Sequence, residues 1–341
     1  METGILCSRG SVDDIIEKGL EAERQGLDFF GVGDTQNLFP ELYVSLGAVA
    51  AATSTVDVGP VVTNPITRHP AVTASAMATT DQLADGRAFM GLGSGDSAVR
   101  TIGERPASLT EMADLVSVCR GLWQGREVEY DGEPLSLRWL PSGTQRDVPV
   151  RLSAGGPKTL ELAGAVADGV FVAWGLTPDV VELAIDHVAA GARDAGRDPD
   201  DVAIYVWAKS NLAADRATAV DEMRMQLAST ANHALRYDLA AKSVPAAHRE
   251  PIRRLQAAYE PGHHLGAEAD NPNSALVEEF GLTDYLADRF TVAGTPSDVA
   301  RQLEDIAAID GVDGVLFTAD TADQQEHIQR LGTEVLPSVD W

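Results

Sequence analysis

VDVGPVVTNPITRHPAVTASAMATTDQLADGRAFMGLG, residues 56–93, reads as a strand, a helix and a second strand in direct succession. The flanking runs, VDVGPVVT (56–63) and RAFMGLG (87–93), are nearly continuous in apolar residues rather than alternating. That is the pattern of parallel strands covered by helices. The first run ends in Asn64-Pro65, and because proline cannot donate to a ladder the strand must finish or bulge by Asn64. Pro70 then suits the opening turn of the helix.

Outward from this unit the same rhythm continues. GILCS (4–8) and DFFGVGD (28–34) precede it, and VPVRLSA (148–154), GVFVAW (169–174), VAIYVWA (202–208) and DGVLFT (313–318) follow, eight strand candidates with the two above. Helical stretches lie between them, near 11–26, 40–54, 69–84, 108–124, 156–167, 178–196, 215–229, 296–310 and 321–334. Ser11 stands before acids in a first turn, Ser108 and Glu111 have capping-box spacing, and Pro178 and Pro296 fit first turns. Eight β–α alternations predict an α/β chain folded as a TIM-type (β/α)8 barrel rather than an open doubly wound sheet. The expectation is one barrel domain over residues 1–341. Residues 125–147 read as a hairpin or loop excursion. A region of about 230–290, without clear periodicity, reads as an insertion between the seventh and eighth barrel strands, a functional lid by its length.

The chain of 341 residues is 44% hydrophobic and 23% charged, enough to bury a sizeable core. Its 52 acids against 26 bases give a formal charge of −26, which opposes binding to nucleic acid or anionic lipid. Only Lys18, Lys158, Lys209 and Lys242 are lysines, a composition that fits a salt-adapted host and a GC-rich genome equally. Cys7 and Cys119 are too few for a disulfide framework and lack metal-ligand spacing. METGILCSRG lacks the pattern of a signal peptide, and no apolar run approaches a membrane span. A soluble cytoplasmic protein is expected.

In such a barrel the chemistry belongs to the loops at the carboxyl ends of the strands. SAGGPKTL (153–160) places Gly155 and Gly156 between a strand and a helix that opens at Pro157, which aims free N–H groups at the mouth and suits a phosphate. A plain tight turn is the alternative. GLGSGDSAV (91–99) is neither a dinucleotide fingerprint nor a nucleophile elbow; its glycines permit close approach to a flat ligand, and Asp96 is an acid/base candidate or a solvated loop residue. In VVTNPITRHP (61–70), Arg68 and His69 are candidates for an anionic group, with a capping or packing role equally open for His69. Asp34 ends the strand before TQN. His263 and His264 are adjacent and accompany no metal motif, so no metal site is expected. Trp123, Trp139 and Trp207 read as packing residues; Trp174, ending a strand, reads as packing or as pocket wall.

Taken together, AERQGLDFFGVGDT (22–35), the segment 56–99 and SAGGPKTLELAGAVADGVFV (153–172) resemble the bacterial-luciferase-like superfamily of flavin and deazaflavin oxidoreductases, in the methylene-tetrahydromethanopterin reductase branch. AAYEPGHH (257–264) and RFTVAGTPSDVARQL (289–303) resemble it more weakly. The resemblance implies a bulge with a non-prolyl cis peptide at Val61–Val62 against the cofactor's central ring. The cofactor would lie against Val61, Val62, Thr63 and Asn64, against Gly93, Ser94 and Gly95, and against Ala154, Gly155, Gly156 and Pro157, with Trp174 at the pocket wall. Asp34 falls beside the ring edge and Asp96 near the reacting centre, both as catalytic candidates. Asp96 replaces the longer Glu of several relatives. Arg68, His263 and His264 are the substrate candidates. The implied chemistry is hydride transfer with coenzyme F420, a deazaflavin, in a homodimer. The alternatives are an FMN-dependent monooxygenase that uses oxygen, and a non-catalytic cofactor-binding barrel.

Overall fold

The computed structural model describes residues 1–140, 145–263, 271–319, 321 and 323–341. In chain order its strands are β1 (Glu2–Leu6), β2 (Phe29–Val32), β3 (Asp57–Pro60), β4 (Met90–Leu92), β5 (Val128–Tyr130), β6 (Glu133–Leu135), β7 (Val150–Ala154), β8 (Gly169–Val172), β9 (Ala203–Leu212), β10 (Thr291–Gly294) and β11 (Gly314–Thr318). Eight of them run parallel in the order β3-β2-β1-β11-β9-β8-β7-β4. Bridges Val58–Ala88 and Thr63–Leu92 join β3 to β4 and close the ring. The eight expected strands are these eight, and the fold is the (β/α)8 barrel. β5 and β6 form the antiparallel hairpin expected within 125–147.

The sequence sets the helix starts as expected. Ser11 with Asp14, and Ser108 with Glu111, form complete capping boxes, and Pro178 and Pro296 occupy first turns. Near-continuous apolar strands have two faces to bury. Outward side chains such as Phe30, Val58, Met90 and Val206 pack under the helices. Inward ones, Phe29, Phe89, Phe171, Tyr205 and Leu316, fill the barrel. Phe29 meets Phe89 edge-on at 5.8 Å and 84°, and the Arg151 guanidinium lies 4.5–4.7 Å from the centroids of Phe29, Phe89 and Tyr205. Each buried aromatic contributes about 1.5–3 kcal/mol through burial. This filled interior is a core and not a pore, so a ligand must bind at the carboxyl-end loops.

Between β9 and β11 the structure departs from expectation. Helices Arg216–Glu222, Arg224–Ala234, Ala246–Ala258, Pro272–Glu279 and Thr283–Phe290 build a layer with its own core of Leu227, Leu235, Ile252, Leu255, Val277 and Phe290. The insertion thus begins directly after β9, ahead of residue 230, and most of its described residues are helical. Its periodicity is hard to read because a helix such as Ala246–Ala258 contains Pro251 and buries only Ile252 and Leu255. The ninth strand of the sheet, β10, was not expected; its pairing with β9 begins at Lys209, where that of β11 stops. Among the described residues no helix is long and apolar enough to cross a membrane.

Candidate active site

The site begins at the seam between β3 and β4. From Val58 to Thr63 the chain takes five steps while its partner takes four from Ala88 to Leu92, so one residue is extra and the strand bulges. The Val61–Val62 peptide within the bulge is cis. Pairing resumes above it, with the Thr63 amide donating to Gly91 at 3.0 Å and the Gly93 amide to Thr63 at 2.9 Å. Glycine is required on the facing strand. A Cβ on Gly91 would stand 2.0 Å from the Pro60 carbonyl oxygen, and one on Gly93 would stand 2.8 Å from Val62 Cγ2.

Asp34, at the end of β2, is 6% exposed and fully engaged. Thr63 Oγ1 donates to its Oδ2 at 2.7 Å, and Arg68 donates to both oxygens, at 2.6 and 3.1 Å. Arg68 also reaches Glu41 at 2.7 Å and lies over the Tyr43 ring. Burial opposes the Arg68 charge, but the carboxylates of Asp34 and Glu41 outweigh it and raise its pKa. Burial likewise drives the Tyr43 phenol upward. Asn64, 1% exposed, accepts from the amides of Ile66 and Thr67 and so holds the loop that carries Arg68.

Asp96 follows the glycine loop of β4. Gly95 has φ +81°, and a Cβ there would meet Val99 at 2.7 Å and Asn64 at 3.2 Å, so the loop lies against the bulge strand. Two arginines and a histidine converge on the Asp96 carboxylate: Arg100 at 2.7 Å, Arg236 at 2.6 Å and His233 Nδ1 at 2.9 Å. Burial works against its charge, yet the hydrogen bonds and charges of His233, Arg236 and Arg100 hold the carboxyl far below the usual range. Thr35 and Gln36 tie the neighbouring β2 loop to Ser97 and Ala98.

The turn after β7 is the third part. Gly156 caps the helix Pro157–Val166 without a side-chain hydrogen bond, and a Cβ on Gly155 would meet nothing within 4 Å. A Cβ on Gly156 would face Lys242 Cε at 3.8 Å. Lys242 is 6% exposed and donates to the Ala234 carbonyl at 2.7 Å. Burial, then Arg289 and Arg236, lowers its pKa to about 8. Residues 233–242 of the insertion therefore join the Asp96 loop to the glycine turn. A cavity of about 430 Å³ opens at the ends of β9 and β11, lined by Lys209, Glu222, Gln226, Thr318 and His327.

This geometry agrees with what comparison with known proteins gives. Residues 2–314 match the luciferase-like monooxygenase family. The chain belongs to that family. A 5,10-methylenetetrahydromethanopterin reductase of Methanolobus tindarius is 30% identical over 320 residues, 92% of this chain and 93% of that one. An F420-dependent glucose-6-phosphate dehydrogenase of Microbacterium testaceum is 26% identical over 95% and 93% of the two chains. An F420-dependent secondary alcohol dehydrogenase, solved with an F420–acetone adduct, superposes with a TM-score of 0.76 at 22% identity over 100% and 99%.

Within this luciferase-like barrel several expected roles move. Trp174 is fully buried, donates to the Val180 carbonyl at 3.2 Å and meets His187 edge-on, so it packs under the helix Pro178–Asp194. Ala154 likewise buries its side chain in the helix layer, leaving only its backbone beside the turn. Arg68 is paired with two carboxylates, Asp34 and Glu41. His69 caps its helix by accepting from the Ala71 amide. His263 lies 3.7 Å from Glu260 and makes no described contact with Asp34 or Asp96; His264 lies outside the described residues. Among the described residues, His233 is a histidine bonded to Asp96. Its signal in the sequence is the His233/Arg236 pair one helical turn apart. Ser94 is exposed at the mouth, and Val61, Val62, Thr63, Asn64, Gly93 and Gly95 come together there.

Proposed function

We propose that this chain is a coenzyme F420-dependent oxidoreductase that moves a hydride between the deazaflavin and a small organic substrate. The observation that carries the proposal is the pairing of two features across one barrel mouth. One is a bulge backed by glycine, against which a flat ring can lie; the other is a bare glycine turn at a helix amino terminus, beside a buried lysine. The turn fits a phosphate, because open space surrounds Gly155 and the helix end presents N–H groups that no side chain caps. Both F420-named proteins above support the deazaflavin over FMN.

Val61, Val62 and Gly93 would hold the ring, and Gly155, Gly156 and Pro157 the phosphate. When bound, the deazaflavin supplies a carbon that accepts or donates hydride. The protein orients the partners, excludes water beneath the ring with the aromatic plug, and fixes charge around it. Asp34, clamped by Thr63 and Arg68, is a fixed anion near the ring. The partners of Asp96 favour its ionised form, which argues against a proton-donor role.

The test is anaerobic titration with oxidised coenzyme F420 and with FMN, followed by oxygen uptake with each reduced form. Micromolar F420 binding without oxygen consumption is expected. FMN binding with rapid oxygen uptake would transfer the assignment to a monooxygenase, and binding of neither would remove it. Methylenetetrahydromethanopterin, glucose 6-phosphate and propan-2-ol form the first substrate panel. The proposal includes a cytoplasmic homodimer. Exposed Val44, Val72 and Leu83 on the helices Leu42–Ala52 and Pro70–Leu83 support a self-contact, and sedimentation equilibrium tests it.

A further inference from the structure

We propose that His233 is the proton-transfer residue of this site and Asp96 its positioning residue, serving a substrate that interconverts a hydroxyl and a carbonyl. The inference rests on the deazaflavin assignment and deepens it. Hydride transfer between a hydroxyl-bearing carbon and a carbonyl carbon also moves a proton, and a side chain must take or give it. The two carboxylates beside the bulge are poor carriers. Asp34 accepts from Thr63 and twice from Arg68. Asp96 accepts from Arg100, Arg236 and His233. Both are held by arginines.

The imidazole of His233 is placed differently. Nδ1 lies 2.9 Å from Asp96 Oδ2, and among the described residues Nε2 has no hydrogen-bond partner. The side chain is just over half exposed. When Nδ1–H donates to the carboxylate, the Nε2 lone pair turns outward as a base. The Asp96 carboxylate, held by Arg100 and Arg236, then fixes the tautomer and stabilises the imidazolium that forms. His233 also sits in the last turn of the helix Arg224–Ala234, whose dipole favours a cation. Arg236 on the same segment and Arg100 from the β4 loop share the carboxylate and oppose that cation, and Tyr259 of the insertion lies in the same field. The neighbouring backbone faces the phosphate turn through Lys242, which donates to Ala234. His233 therefore stands between the expected phosphate turn and the bulge.

In the oxidative direction the substrate carbon loses hydride to the deazaflavin while the hydroxyl proton passes to Nε2. The substrate would give up two electrons to bound deazaflavin and become a carbonyl, and the His233 imidazolium would return its proton to solvent. The reductive direction is the reverse.

The experiment uses the full chain and His233→Gln, whose amide still donates to Asp96 and so preserves the tie to the insertion. Affinity for oxidised coenzyme F420 should stay within about threefold, because no ring or phosphate contact is removed. Carbethoxylation with diethyl pyrocarbonate, mapped by mass spectrometry, should label His233 in the cofactor-free chain and slow about tenfold with saturating F420, since the bound ring would narrow the mouth through which reagent reaches Nε2 without touching the imidazole. With propan-2-ol or glucose 6-phosphate as hydride donor, kcat should fall about 10²–10⁴-fold at nearly constant KM, with part of the rate restored to His233→Gly by added imidazole. A tie without proton transfer predicts full kcat in His233→Gln and no imidazole rescue, which would overturn the proposal. So would labelling of His233 that F420 leaves unchanged. If the wild-type chain fails to bind F420, the cofactor assignment falls first and this inference with it; normal binding with an unprotected His233 removes only the inference.

Discussion

The bulge at Val61–Val62 depends on what stands opposite it, and Gly93→Ala isolates that dependence. The added Cβ would lie 2.8 Å from Val62 Cγ2. Carbon atoms in van der Waals contact sit at about 3.5–4.0 Å, so Val62 or the strand bearing it must retreat by roughly 1 Å. A side chain can absorb part of this, and overpacking of that size costs about 1–3 kcal/mol of stability. The effect on the ligand should exceed the effect on the fold. A 1 Å displacement of a positioning surface can cost about 100-fold in a reaction that needs close alignment. We therefore expect Gly93→Ala to fold, to shift its urea midpoint modestly, and to bind coenzyme F420 at least about tenfold more weakly, or about 1.4 kcal/mol. Gly86→Ala is the control. It lies at φ +87° with nothing within 4 Å of its Cβ, so it carries a backbone penalty of about 1 kcal/mol without touching the bulge. If both variants lose equal stability and bind F420 equally, the bulge is not the ring's support.

Three other outcomes follow from buried groups. Burial, with Arg330 nearby, lowers the His327 pKa to about 4, beneath its ordinary value near 6.5. The unfolded chain then binds the extra proton first, so stability is full above about pH 6.5 and is lost as pH falls toward 4 by about 3 kcal/mol. His327→Gln should flatten this limb of a pH series of denaturant melts; an unchanged slope would count against it. Lys242→Met should weaken binding of intact F420 about tenfold or more while sparing the phosphate-free deazariboflavin fragment. Wild-type affinity for intact F420 should decline above about pH 8, as the ammonium loses its proton. Equal loss for both ligands would place Lys242 away from the phosphate. Trp174→Phe removes a buried hydrogen bond and should cost about 1–3 kcal/mol by thermal melt, with F420 affinity unchanged. Weakened F420 binding would return Trp174 to the pocket.

What the sequence reveals and what it hides divide along one physical line. Barrel strands bury both faces, so each writes an unbroken apolar run such as GVFV (169–172), and eight such runs can be counted without knowing any contact. Glycines that must be glycine are also legible in position, since Gly91, Gly93 and Gly95 stand where backbone meets backbone or a neighbouring side chain. The strand TVAG (291–294) is harder to see because it follows the helix Thr283–Phe290 without a break and is only four residues long. The insertion is hidden because its helices bury narrow stripes against one another, not a broad face against the sheet.

Charge is where local sequence misleads most. An acid at a strand end looks like a catalytic acid, and an arginine beside it looks like an anion receptor, because neither shows its partner in the linear chain. Asp34 and Arg68 are 34 positions apart and neutralise each other; Asp96 and Arg236 are 140 apart and do the same. In a chain with 52 acids and 26 bases, a basic residue has many carboxylates to pair with, so a cation at the mouth should be presumed taken until its partner is known. The same reasoning raises the standing of His233. Its partner occupies one nitrogen and leaves the other open, and imidazole alone among these groups can keep its hydrogen bond to a carboxylate while its second nitrogen takes up and releases a proton. The histidine pair at 263–264 is conspicuous only as a pair. His233 becomes visible when the fold brings the end of one insertion helix to the carboxylate that follows β4.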